Sequence, residues 1–178
     1  NVKLLMEDGE LFYQRFLLDC TAQKLQEKKK EQRQTELMQA LTVDYSIACF
    51  FDLNTGAGVP IRRDVCDEGA FTADKHGNIY FEQSMEQYIQ AVVHEEDREK
   101  MRQFCRVDDL RQKLAEHGVQ HANYRAVTGG EVFYYQLKAV RAGSWNRQCG
   151  IVIGLRSVDA EIRKEMEQKN LLETALMQ

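Results

Sequence analysis

The sequence predicts an α+β fold, a five-stranded antiparallel sheet with short helices on one face and long linker helices at both ends. Three observations predict it. Two strand-like segments precede a block of helical segments, and three more strand-like segments follow it. Strands that flank a helical block, instead of alternating with helices, form an antiparallel sheet with the helices gathered on one face. Hydrophobic residues make up 43% and charged residues 29% of the 178, the balance of an ordinary globular domain. Both end segments have helical spacing but too few apolar residues to lie in a core.

Residues 1–20 read as a β-hairpin. Val2, Leu4 and Met6 alternate on one side, and Phe12, Phe16 and Leu18 on the other, around Asp8-Gly9. Asp-Gly favours a two-residue turn because both turn positions need positive φ. Residues 21–42 read as one helix whose middle, Gln26 to Gln34, contains no apolar residue. Only its far end, Leu37, Met38 and Leu41, carries an apolar stripe that should touch something.

Residues 43–158 read as the main domain. Residues 45–53 (YSIACFFDL) form a strand, Asn54-Thr55-Gly56 a turn, and a second strand runs near Gly58–Arg62. Residues 64–78 are loop-like. Helices follow at about 80–93, 95–105 and 108–117, the last stopped by Gly118. Val119–Val127 and Val132–Arg141 alternate around Gly129-Gly130, and Phe133, Tyr135, Leu137 and Ala139 share the more apolar face. Cys149–Leu155 is an almost wholly apolar strand of the buried kind. Residues 159–178 are helical, with Ile162, Met166, Leu172 and Leu176 near heptad spacing.

The ends echo each other. Each has two strands, a polar junction and a charged helix: Asp19-Cys20-Thr21 before AQKLQEKKKEQ, and Ser157-Val158-Asp159 before AEIRKEMEQK. A repeat with a period of about 138 residues predicts tandem copies of one module. The chain is then expected to be a piece of a longer protein: the closing hairpin of one copy, a linker helix, a whole copy and an output helix.

Residues 43–160 resemble a PAS domain, the sensory module of bacterial signalling proteins. Val93-His94-Glu95-Glu96-Asp97-Arg98 is similar to the family's H-P-E-D-R stretch, with Glu95 where Pro is usual. Asn123-Tyr124-Arg125 with Gly129-Gly130-Glu131 resembles its E-Y-R strand and hairpin, and Gln136–Val140 its next strand. The two junctions resemble its D-I-T linker motif. The second junction has Ser157 where the first has Asp19, so no salt bridge is expected from position 157. The resemblance implies a non-catalytic sensor that binds a small ligand or mediates dimerisation. It would pass its signal through Asp19, Cys20, Thr21, Ser157, Val158 and Asp159 to an output domain, a diguanylate cyclase or a histidine kinase. The pocket candidates on the inward strand faces are Phe51, Tyr124, Phe133, Tyr135, Leu137, Ile151 and Ile153.

Catalytic and cofactor chemistry is sparse. Gly129-Gly130-Glu131-Val132-Phe133 looks like a cyclase signature but lacks its second acid, and reads as a turn. His94-Glu95-Glu96-Asp97-Arg98 begins like HExxH but ends in Arg, and zinc needs three or four ligands. Gly56-Ala57-Gly58 opens no helix, so it is no dinucleotide loop. Residues 64–75 fail as a calcium loop, with Lys75 at the closing position. No flavin or haem motif is present, and no cofactor is expected. The five cysteines stand singly, as reduced thiols do.

A net charge of −4 argues against nucleic acid as a partner. No apolar run approaches the roughly 18 residues of a membrane span. The fragment is therefore expected in the cytoplasm, without membrane contact, as a homodimer paired through its flanking helices. The alternatives are a dimerisation scaffold without ligand and a small α+β enzyme. A roomy inner cavity would favour sensing and a filled core the scaffold.

Overall fold

Two antiparallel strands open the chain: β1 (Val2–Glu7) pairs with β2 (Glu10–Arg15), with Glu7 opposite Glu10. The computed structural model describes residues 2–7, 10–15, 21–64, 70–143, 145 and 149–176. Phe16, Leu18, Asp19 and Cys20 lie outside the described residues, as do Asp8 and Gly9. Leu4 stands opposite Tyr13 and Met6 opposite Leu11, while Phe12 stands opposite Leu5.

One helix follows, α1 (Thr21–Leu41), and Gln23 to Leu41 are exposed throughout. Leu37, Met38 and Leu41, expected to touch something, are each more than half exposed. Residues 1–38 form one compact unit and residues 39–178 a second.

The second unit holds a six-stranded antiparallel sheet: β3 (Ile47–Asp52), β4 (Ala57–Arg63), β5 (Ile79–Tyr80), β6 (Val119–Thr128), β7 (Glu131–Ala142) and β8 (Gly150–Ser157). Their order is β5-β4-β3-β8-β7-β6. The sequence predicts five strands; β5 is the sixth. It pairs Ile79 with Gly58 and Tyr80 with Ala57. Two residues are too few to show alternation, and Tyr80, extended at φ −119° and ψ 127°, is also the residue that opens the next helix. The turn between β6 and β7 is Gly129-Gly130, both at positive φ (60° and 85°), as a type I′ turn requires. The Gly-Gly-Glu run is therefore a hairpin.

Three helices cover the inner face: α2 (Phe81–Val92), α3 (Glu95–Phe104) and α4 (Val107–His117). Phe81, Met85, Tyr88 and Ile89 make one buried stripe of α2, spaced as a helix requires. Met101 from α3 and Leu110 and Leu114 from α4 complete the layer. These side chains meet Ile47, Cys49, Leu137, Ala139 and Leu155 of the sheet in one hydrophobic core. Gly118 ends α4 in the left-handed region, its N–H on the Leu114 carbonyl at 3.0 Å. A last helix, α5 (Asp159–Leu176), leaves the end of β8.

Gly58 shows how tightly the sheet is built. A Cβ there would stand 2.2 Å from the Phe50 carbonyl oxygen and 2.4 Å from the Phe51 ring. The oxygen belongs to β3 and cannot yield without breaking the β3–β4 register. Gly58→Ala should therefore destabilise the chain by about 1–3 kcal/mol, the usual cost of overpacking. Urea unfolding measures it, and an unchanged midpoint would show that β4 can shift.

Candidate functional site

The seven predicted pocket residues do gather on the inner sheet face. Phe51, Tyr124, Leu137, Ile151 and Ile153 are all at most 2% exposed and lie within the core. Phe133 and Tyr135 are half-buried at its margin. Phe51 meets Phe81 edge-on with ring centres 5.3 Å apart. Tyr124 meets Tyr88 edge-on at 6.2 Å, and their hydroxyls share a 2.7 Å hydrogen bond inside the apolar layer. A buried hydroxyl without a partner would be costly, and this bond supplies one to each tyrosine. The same aromatic line continues to Tyr135 on one side and Phe71 on the other. Phe71 is buried with φ at 59°, a conformation that a bulky side chain adopts only under constraint.

The stretch that resembles H-P-E-D-R does structural work at the open edge of the sheet. His94 opens α3, its Nδ1 accepting the Glu96 N–H at 3.4 Å, which gives this histidine a capping role. Its own N–H donates to the Arg125 carbonyl at 2.8 Å. Asp97 accepts from the Arg125 N–H at 2.8 Å and holds the guanidinium through both oxygens at 2.9 Å. Glu96 adds a second carboxylate contact at 2.9 Å. Lys100, one turn further along α3, donates to the Asn123 carbonyl at 2.8 Å. Arg98 folds back and donates to the carbonyls of Val93 and Gln90 at the end of α2.

The other candidate region is the junction of β8 and α5. Val158 is buried, and its N–H donates to the Tyr134 carbonyl at 2.8 Å. Asp159 accepts the Tyr134 N–H at 3.0 Å and binds Arg163 at 2.6 Å. Arg163 also reaches the Val132 carbonyl at 3.1 Å. Both contacts, Arg163 first, hold the Asp159 carboxyl below the usual carboxylate range. Ser157 is exposed, and its hydroxyl accepts from the Asp159 N–H at 3.4 Å. No salt bridge was expected from position 157; the junction has one two residues later, from Asp159. Thr21 opens α1 as Asp159 opens α5, and these starting points lie 138 positions apart. Asp19 and Cys20 fall outside the described residues.

Beside that junction a polar row crosses the outer face. Asn123, Gln136 and Arg156 stand directly opposite one another on β6, β7 and β8. The Gln136 amide donates to Asn123 Oδ1 at 2.9 Å and accepts from Arg156 Nε at 3.3 Å. Arg156 continues to Glu161 of α5 at 3.4 Å. Sequence reading missed Tyr134, Gln136, Arg156, Glu161 and Arg163 as junction residues. The Asp159–Arg163 pair was readable from its spacing of four on a helix. The cross-strand row was not, because it depends on register.

Among the described residues no group of three or more His, Cys, Asp or Glu is placed to hold a metal ion, and no helix is long and apolar enough to cross a membrane. Cys49 is buried, and burial pushes its thiol up to about 12, far from a reactive thiolate. His117 and His121 fall on either side of the Gly118 break, one ending α4 and one in β6. The site and the fold define an α+β module whose sheet is fastened to α3 along the β6 edge and to a departing helix, α5, at the neighbouring strand β7. Neither a protein-family model nor a curated protein sequence matches the chain.

Asp97 makes the edge testable by pH. The Arg125 hydrogen bonds, foremost among its surroundings, hold its carboxyl down to about 2, against an ordinary 3.8. The unfolded chain therefore takes up this proton at higher pH than the folded one. The stability it supplies is complete above 3.8 and is lost as pH falls towards 2. Asp97→Asn should lower the melting temperature at neutral pH and flatten its fall across that window. An acid profile identical to that of the unsubstituted chain would show that the pair contributes nothing.

Proposed function

We propose that this chain is a non-catalytic sensory module of the PAS type, working in the cytoplasm. It would bind a small ligand or pair with a second copy, and pass that state through its flanking helices to an output domain, a diguanylate cyclase or a histidine kinase. The observation that carries the reading is the junction. The first residue of α5 is hydrogen-bonded to β7 and ion-paired within its own helix, so the helix starts in a fixed relation to the sheet. A helix used merely as a tether would have no use for that.

Other observations support it. The motif-like residues occupy linked positions, with Asp97 of one stretch bound to Arg125 of another. The strand–helix–strand order and the echo between Thr21 and Asp159 fit a module that occurs in series. Met166, Leu171 and Leu172 of α5 are 47%, 66% and 65% exposed, and the apolar end of α1 is open as well. Apolar stripes on solvated helices are surfaces for contact. A second reading, a dimerisation scaffold without ligand, is favoured by the five pocket candidates that are packed into the core.

Native mass spectrometry of the protein as purified tests both parts. A dimer mass is expected, with a retained small molecule in the sensor case and none in the scaffold case. Replacing Leu171 and Leu172 together by Glu should give a monomer that still folds cooperatively, because both side chains are exposed. A monomer without added mass from the unsubstituted chain would overturn both readings.

A further inference from the structure

Two lines of contact cross the sheet from α3 to α5. The first is hydrogen-bonded only at its two ends and passes between them along one directly opposed strand pair. Arg125 and Tyr134 are directly opposed on β6 and β7, and their peptide groups point away from each other. Those of Arg125 meet Asp97 and His94 on the α3 side. Those of Tyr134 meet Asp159 and Val158 on the α5 side. The second line runs two residues away through side chains: Lys100 on the Asn123 carbonyl, Asn123 on Gln136, Gln136 on Arg156, Arg156 on Glu161.

We propose that the second line is a two-state relay that couples α3 to the first turns of α5, with the Gln136 amide as its moving part. The chemistry of the row permits two arrangements. Gln136 now turns its NH₂ to the Asn123 oxygen and its oxygen to the Arg156 guanidinium. If Asn123 presents its own NH₂ instead, Gln136 must flip to meet it with oxygen. Its NH₂ then faces a guanidinium, which has donors and no acceptor, so Arg156 is released. Arg156 then loses its anchor on β7 and holds Glu161 from an unfixed guanidinium, which loosens one of the ties of α5 to the sheet. Lys100 holds the backbone of Asn123 and so reports the position of α3 at the input end. A network with two discrete states is what coupling between distant elements requires. The use of the relay rests on the signalling reading; its existence does not.

Hydrogen exchange read by mass spectrometry tests the relay. Asn123→Ala removes the acceptor that holds the Gln136 NH₂, so the Gln136 amide is free to turn away from Arg156, and the residue is exposed, so the fold should survive. Amides 162–166 of α5 should exchange about 2- to 10-fold faster, the factor that one hydrogen bond is worth. Amides of α2 should be unchanged. Asn123→Asp keeps the acceptor and should leave α5 as it is. Unchanged exchange in α5 with Asn123→Ala, or a rise shared equally by α2, would overturn the proposal. The dimer mass and the retained molecule do not depend on Asn123, so coupling and signalling role fail separately.

Discussion

The open edge of β6 is the constraint on which the helical layer depends. An edge strand presents unpaired peptide groups that must be satisfied or shielded. Here α3 satisfies them: Asp97 and the His94 N–H take both peptide groups of Arg125, and Lys100 takes the carbonyl of Asn123. Val93 adds an isolated bridge to Ala126. One short acidic stretch thus caps a helix, closes a sheet and fixes where Met101 enters the core. The guanidinium of Arg125 matches the Asp97 carboxylate fork to fork, a geometry a lysine would not supply.

From that edge inward the sheet acts as a stiff plate. Its inner face is filled by apolar residues with one tyrosine hydroxyl pair at 2.7 Å. Its outer face admits close approaches, as where the Tyr45 ring lies over Gly154, a Cβ on which would stand 2.5 Å away. A plate of this kind has few ways to respond except by moving what is attached to it. What is attached is α3 along β6 and α5 at the ends of β7 and β8. The relay and the junction therefore belong to one design, in which polar contacts sit on the periphery of an apolar core.

Much of this was legible in the sequence because the signals were local. Gly118 announced the end of α4, Gly129-Gly130 the hairpin, and the alternation in Val132–Arg141 its buried face. The predicted helices at 80–93 and 95–105 match α2 and α3 within a residue or two. What escaped was long-range or too short to show a period. Strand β5 has two residues, and one of them doubles as a helix cap. The row Asn123–Gln136–Arg156 joins residues whose adjacency only the strand pairing creates. Ser157 drew attention to a missing acid, while the acid that serves the junction stood two residues on, at Asp159.

The central claim is that the sheet fixes α5 relative to α3. A distance between the two helices measures it most directly. Nitroxides on unnatural amino acids at Glu99, an exposed position of α3, and Lys164, exposed on α5, report it by pulsed electron resonance in protein diluted with unlabelled chain. The account predicts one narrow distance distribution that broadens when Arg125 is replaced by Gln. A broad distribution in the unsubstituted chain, unaltered by that replacement, would contradict it.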